Sequence, residues 1–99
     1  TVNFFDKIVL FNDNVLIHKN NNKKIYLTEI ESKIVELLFN NKFIPKSTIN
    51  KQVLNQKPTV DSKSLESHLY RLRKKLFELD KSIQITTHNE KSIKIIKTN

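Results

Sequence analysis

Arg71, Arg73, Lys63, Lys74, Tyr70, Ser67, His68 and Glu66 crowd into the stretch Ser62 to Leu79, SKSLESHLYRLRKKLFEL. These side chains suit the grip of a polyanion. An arginine offers a rigid fork of donors that fits paired acceptors on a base edge or a phosphate. A lysine supplies a point charge, and Ser, Tyr and His add short hydrogen bonds. A glutamate can accept from an exposed amino group. Nothing in the chain pairs a nucleophile with a base, clusters metal ligands or forms a glycine-rich phosphate cradle, so enzyme chemistry is not expected.

What must present these groups is a helix. Leu65, Leu69, Leu72, Leu76 and Leu79 recur at spacings of 4, 3, 4 and 3, one stripe of an α-helix. At about 100° per residue the opposite face carries Lys63, Ser67, Tyr70, Arg71 and Lys74. Glu66, Arg73 and Phe77 flank it on one side; Ser64, His68 and Lys75 flank it on the other. A helix lying in a DNA major groove needs one face of each kind. The competing reading is an ordinary amphipathic surface helix whose cations are solvated.

Composition narrows the choice. At 99 residues the chain has room for one domain. Eighteen Lys and Arg against 10 Asp and Glu give a net charge of +8, which favours a polyanionic partner such as nucleic acid. An anionic membrane surface would also attract that charge, but it would need cationic and apolar faces together at an interface, and the leucine stripe is better used as core. No apolar run approaches ~20 residues, and no signal-peptide pattern is present, so a cytoplasmic protein without a membrane partner is expected. The absence of cysteine excludes disulfides and thiol chemistry. His18, His68 and His88 lie far apart without ligand spacing, so neither a metal nor a cofactor is expected. The absence of glycine means that left-handed turn positions should fall to Asn or Asp.

Taken in order, residues 4–27 look like a small antiparallel sheet. Ile8 to Phe11, Val15 to Ile17 and Lys24 to Leu27 are the strands, with turns at Asn12-Asp13-Asn14 and from Lys19. Thr28 and Glu31 form a capping box. The first helix then follows, with Ile30, Ile34, Leu37 and Leu38 inward, stopping at Asn40-Asn41. Phe43 and Ile44 should pack beneath it. A second helix spans Pro45 to Leu54, with Ser47 or Thr48 as its cap and Ile49 and Val53 as inward anchors. Asp61 or Ser62 caps the long helix over 62–79. Ile83 and Ile85, then Ile93 and Ile95, alternate with polar residues, so 83–96 is a hairpin with a polar tip at His88-Asn89-Glu90-Lys91.

A sheet, three helices over 28–79 and a closing hairpin make an α+β winged helix-turn-helix. Here the residues carry a family resemblance. Tyr26-Leu27-Thr28-Glu29-Ile30-Glu31 resembles the segment leading into the first helix of OmpR/PhoB-type response-regulator effector domains. Ser64-Leu65-Glu66-Ser67-His68-Leu69-Tyr70-Arg71-Leu72-Arg73-Lys74-Lys75-Leu76 is similar to their recognition helix. The resemblance covers nearly the whole chain.

It implies sequence-specific binding of double-stranded DNA by the effector domain of a bacterial two-component regulator, whose receiver domain is not within these residues. Glu66, Ser67 and Arg71 match positions that meet base edges in the major groove. Lys63, His68, Tyr70 and Arg73 match positions that touch phosphates; Lys74 is added from the helical wheel. Thr86, His88 and Lys91 are the wing candidates. The resemblance also implies a homodimer on repeated half-sites and, in some members, contact with RNA polymerase through the loop Asn55 to Asp61. The chain departs from the family at the wing, which lacks the minor-groove Arg and the glycines, and where Ile93 stands in place of a Tyr. It departs again at Pro45, where a Ser cap is usual. The alternative is a winged helix that holds another protein and has only non-specific affinity for DNA.

Overall fold

The computed structural model describes residues 2–5, 7–38, 42–54 and 63–98, apart from the side chains of Val2, Phe4 and Lys63. In chain order these form β1 (Val2–Phe4), β2 (Ile8–Leu10), β3 (Val15–His18), β4 (Lys24–Tyr26), α1 (Glu29–Leu38), β5 (Ile44–Pro45), α2 (Lys46–Gln52), α3 (Lys63–Leu79), β6 (Ile83–His88) and β7 (Ser92–Lys97). The architecture is an α+β winged helix-turn-helix. The expected helix stop at Asn40-Asn41, the caps at Asp61 or Ser62 and the loop Asn55 to Asp61 lie outside the described residues.

The first four strands form an antiparallel meander in the order β1-β2-β3-β4. The residue pattern by itself indicates β2, β3 and β4; β1 has three residues, too few to show a period of two. Ile8, Leu10 and Leu16 point inward and join the core, with Ile25 packed against it. The turns solve the glycine problem only partly as expected. Asn14, Asn22 and Asn89 take positive φ, but so do Phe5 at 49° and Glu90 at 60°. A left-handed non-glycine residue costs about 1–2 kcal/mol. Phe5 packs its ring against the core, which offsets that cost. Glu90 is the second central residue of a tight hairpin turn in which both central residues require positive φ.

The capping box forms as the sequence indicates. Glu31 N–H donates to Thr28 Oγ1 at 3.1 Å, and Thr28 N–H donates to Glu31 Oε1 at 2.7 Å. The inward face of α1 is rotated from the expected one. Ile34, Val35 and Leu38 are buried together with Glu31 and Ser32, whereas Ile30 and Leu37 are half-buried. The rotation follows Glu31, whose carboxylate is drawn inward by the cap and by a partner on α3 described below.

The region after α1 differs most from expectation. Ile44 and Pro45 form a short strand, β5, which pairs with β7 as Ile44↔Ile93 and Pro45↔Ser92. The second sheet therefore has three strands, in the order β5-β7-β6. Pro45 precedes α2 as its N-terminal cap residue, with no side-chain hydrogen bond. Ser47 and Thr48 lie inside α2 and do not cap it. Proline supplies no N–H, so it loses nothing by pairing at the end of an edge strand. Phe43 does not pack beneath α1: it is 44% exposed and stands over the hairpin instead.

The core joins α1, α2, α3 and the inner faces of both sheets. Leu65, Leu69, Leu72, Leu76 and Leu79 are each no more than 3% exposed. At roughly 1.5–3 kcal/mol per buried leucine side chain, this stripe is the largest single attachment of α3.

Candidate nucleic-acid interface

With its leucines buried, α3 turns the other face to solvent. Ser64, Glu66, Ser67, Tyr70, Arg71, Arg73 and Lys74 are exposed, and His68 is half-exposed. Tyr70 and Phe77 are 62% and 52% exposed, large apolar areas to leave in water. Arg71 Nη2 donates to His68 Nδ1 at 3.1 Å, which assigns an acceptor role to that ring nitrogen. Lys74 Nζ stands 5.2 Å from the centre of the Tyr70 ring. The face thus holds its cations partly ordered against aromatic or imidazole neighbours. Lys63 begins the helix, but its side chain lies outside the described residues.

Three contacts fix how α3 sits. Lys75 Nζ donates to Glu31 Oε1 at 2.6 Å, and the Glu31 side chain is fully buried. Burial pushes the Glu31 carboxyl up. The hydrogen bonds from Lys75 and from the Thr28 amide and hydroxyl, with the Lys75 charge, outweigh it and hold the carboxyl below its ordinary value. At the other end, His18 Nε2 lies 3.1 Å from Asp80 Oδ2, joining β3 to the residue after α3. Asn20 N–H donates to His18 Nδ1, which leaves Nε2–H as the donor to Asp80. Asp80 Oδ1 accepts from Ser82 Oγ and Ser82 N–H. The Ser82 hydroxyl, helped by the Ser82 amide and His18 and opposed by burial, holds the Asp80 carboxyl below its usual range. The third contact is Lys46 Nζ to Glu66 Oε1 at 2.8 Å, which ties the first turn of α2 to the exposed face of α3.

The wing closes on the same corner. Lys46 N–H donates to the Lys91 carbonyl at 2.8 Å, so the hairpin tip is bonded to the start of α2. Thr86 is half-buried, and His88 and Lys91 are exposed. The His88 and Phe43 rings lie 5.5 Å apart, and Lys94 Nζ stands 5.6 Å over Phe43.

The expected residues therefore group into two neighbouring clusters. Glu66, Ser67, His68, Tyr70, Arg71, Arg73 and Lys74 share α3. His88 and Lys91 share the hairpin tip, with Thr86 one turn of the pleat behind. Lys46 bridges the clusters and was missed by sequence reasoning; its place in the first turn after Pro45 was the available signal. Phe43 and Lys94 were missed as well. Among the described residues no group of three or more His, Asp or Glu could hold a metal ion, and no helix is long and apolar enough to cross a membrane.

The family model for the C-terminal part of transcriptional regulatory proteins matches residues 22–93. The chain belongs to this family. The match spans β4, all three helices, β6 and the first two residues of β7, and it makes the chain an OmpR/PhoB-type DNA-binding effector domain of a transcriptional regulator. The family is not typically enzymatic. No curated protein matches the chain. Among solved structures it is similar to the C-terminal domain of the nisin resistance regulator NsrR, described as a lantibiotic response regulator. That likeness has a TM-score of 0.76 at 21% identity and covers 96% of this chain and 97% of the other. It extends to the meander and wing that the family model leaves partly uncovered, and it bears on fold alone.

Proposed function

We propose that this domain reads a specific double-stranded DNA site by laying α3 in the major groove, as the effector of a bacterial two-component regulator. Glu66, Ser67 and Arg71 address base edges. Arg71 can fork onto guanine O6 and N7, and Glu66 can accept from cytosine N4. Lys63, His68, Tyr70, Arg73 and Lys74 grip phosphates, and Thr86, His88 and Lys91 extend the surface at the wing. A homodimer on repeated half-sites and contact with RNA polymerase through the loop Asn55 to Asp61 complete the proposal.

The observation that carries it is the division of α3: five leucines buried against the core, and Arg71 exposed with Tyr70 and Lys74 on the opposite face. The paired state of Glu66 also supports it. A bare carboxylate facing a phosphate backbone would oppose binding, and Lys46 offsets that charge while orienting the group.

The test is selection of bound duplexes from a random pool, followed by salt titration of the tightest class. An enriched motif, repeated at about one helical turn, supports sequence reading by a dimer. Binding without enrichment, fading only as salt rises, would leave a basic surface and favour the protein-interaction alternative.

A further inference from the structure

The hairpin is braced up to its turn. Beyond the Pro45↔Ser92 pair, the Lys46 N–H bond to the Lys91 carbonyl continues the attachment. What stands free of that bracing is Asn89 and Glu90, both in left-handed conformation and both exposed. A minor groove carries concentrated negative potential and is about 7.5 Å deep; arginine, lysine or histidine is what enters it favourably. This hairpin would lead with a neutral amide and a carboxylate.

The cations lie elsewhere on the wing. Ile83, Ile85, Ile93 and Ile95 are buried, and side chains alternate across a strand, so Thr86, His88 and Lys94 share the outward face. Thr86 pairs with Lys94, and His88 with Ser92. Phe43, one residue before β5, completes the patch beside His88 and under Lys94. Lys91 adds a charge at the turn. An exposed aromatic with one lysine over its ring and a second at the turn matches the sugar–phosphate backbone, where an apolar deoxyribose face alternates with anionic oxygens.

The geometry points to a wing that clamps the DNA backbone through Lys91, Lys94, His88 and Phe43 and does not enter the minor groove, Glu90 keeping it out. This wing supplies affinity and salt dependence and reads no bases. The inference rests on α3 being the DNA-binding helix.

The test uses the tightest duplex selected from a random pool and a random duplex of equal length. In the base pairs flanking the selected motif, inosine replaces guanine and 2,6-diaminopurine replaces adenine. These exchanges remove or add the minor-groove amino group and leave the major-groove edge intact. Affinity should change less than threefold. Lys91→Gln and Lys94→Gln should each weaken both duplexes by the same factor and lower the slope of log K against log salt by about one unit. A change above threefold with the modified flanks, a loss confined to the selected duplex, or an unaltered salt slope in either variant overturns the clamp. If no motif is enriched, the random duplex is modified throughout and the same thresholds apply. Arg71→Ala on the same DNAs keeps the two readings apart: equal loss on both defeats base reading by α3 and leaves the wing result standing.

Discussion

Lys75 of α3 and Glu31 of α1 meet at 2.6 Å, where the carboxylate that completes the Thr28 cap is fully buried. One cation of the basic helix thus serves the fold rather than a ligand. Lys75→Met leaves Glu31 charged in the core and should destabilise by about 2–4 kcal/mol, somewhat below a fully enclosed pair because Lys75 is partly in water. Glu31→Gln keeps the cap acceptor and should cost less. Urea unfolding of the two variants checks the order; a Lys75→Met midpoint equal to wild type would remove the pair from the account.

On the DNA face, Arg71→Ala should cost about 1–3 kcal/mol on a selected site and much less on random duplex. Lys74→Ala should weaken both alike and reduce the salt slope by about one unit. Titrations at two or more salt concentrations separate the effects.

Leu69 is 1% exposed in the middle of the stripe. Leu69→Ala should cost about 2–5 kcal/mol of stability, through lost burial and the cavity left behind. Thermal unfolding followed by circular dichroism reads this directly. DNA affinity measured well below the variant's melting temperature should change little.

Acid should loosen the domain. The Asp80 and Glu31 carboxyls are both held below their ordinary values. Between the folded and unfolded pKa values the unfolded chain binds more protons, so stability falls as pH falls. Their contribution is complete above the ordinary carboxylate range and is lost as pH drops through the lowered folded values. Asp80→Asn and Glu31→Gln should each flatten the decline of melting temperature with acidification. A decline as steep as wild type in both would place the acid sensitivity elsewhere.

Much of this was legible because it is local and periodic. The leucine stripe, the Thr28–Glu31 box and the alternation around Ile83–Ile85 and Ile93–Ile95 each declare themselves within a few residues. What escaped depends on distant partners. Ile44-Pro45 shows no strand period in two residues, and only β7 makes it a strand. Phe43 looked like core because it is aromatic, yet its neighbours are His88 and Lys94, far along the chain. Lys75 looked like a flank of the basic face, and only Glu31 reveals its use. The rotation of α1 toward Val35 has the same origin.

The two sheets also set an order of events for folding. Each strand of the N-terminal meander pairs with its sequence neighbour, so those contacts close short loops and can form within microseconds. The β5–β7 pairing closes across α2, α3 and β6, and it gains nothing until they have come together. The Lys46 bond to Lys91 belongs to that late step. In a refolding experiment the meander should therefore gain protection from hydrogen exchange first. The corner where wing, α2 and α3 meet should be the last part to mature and the first to open.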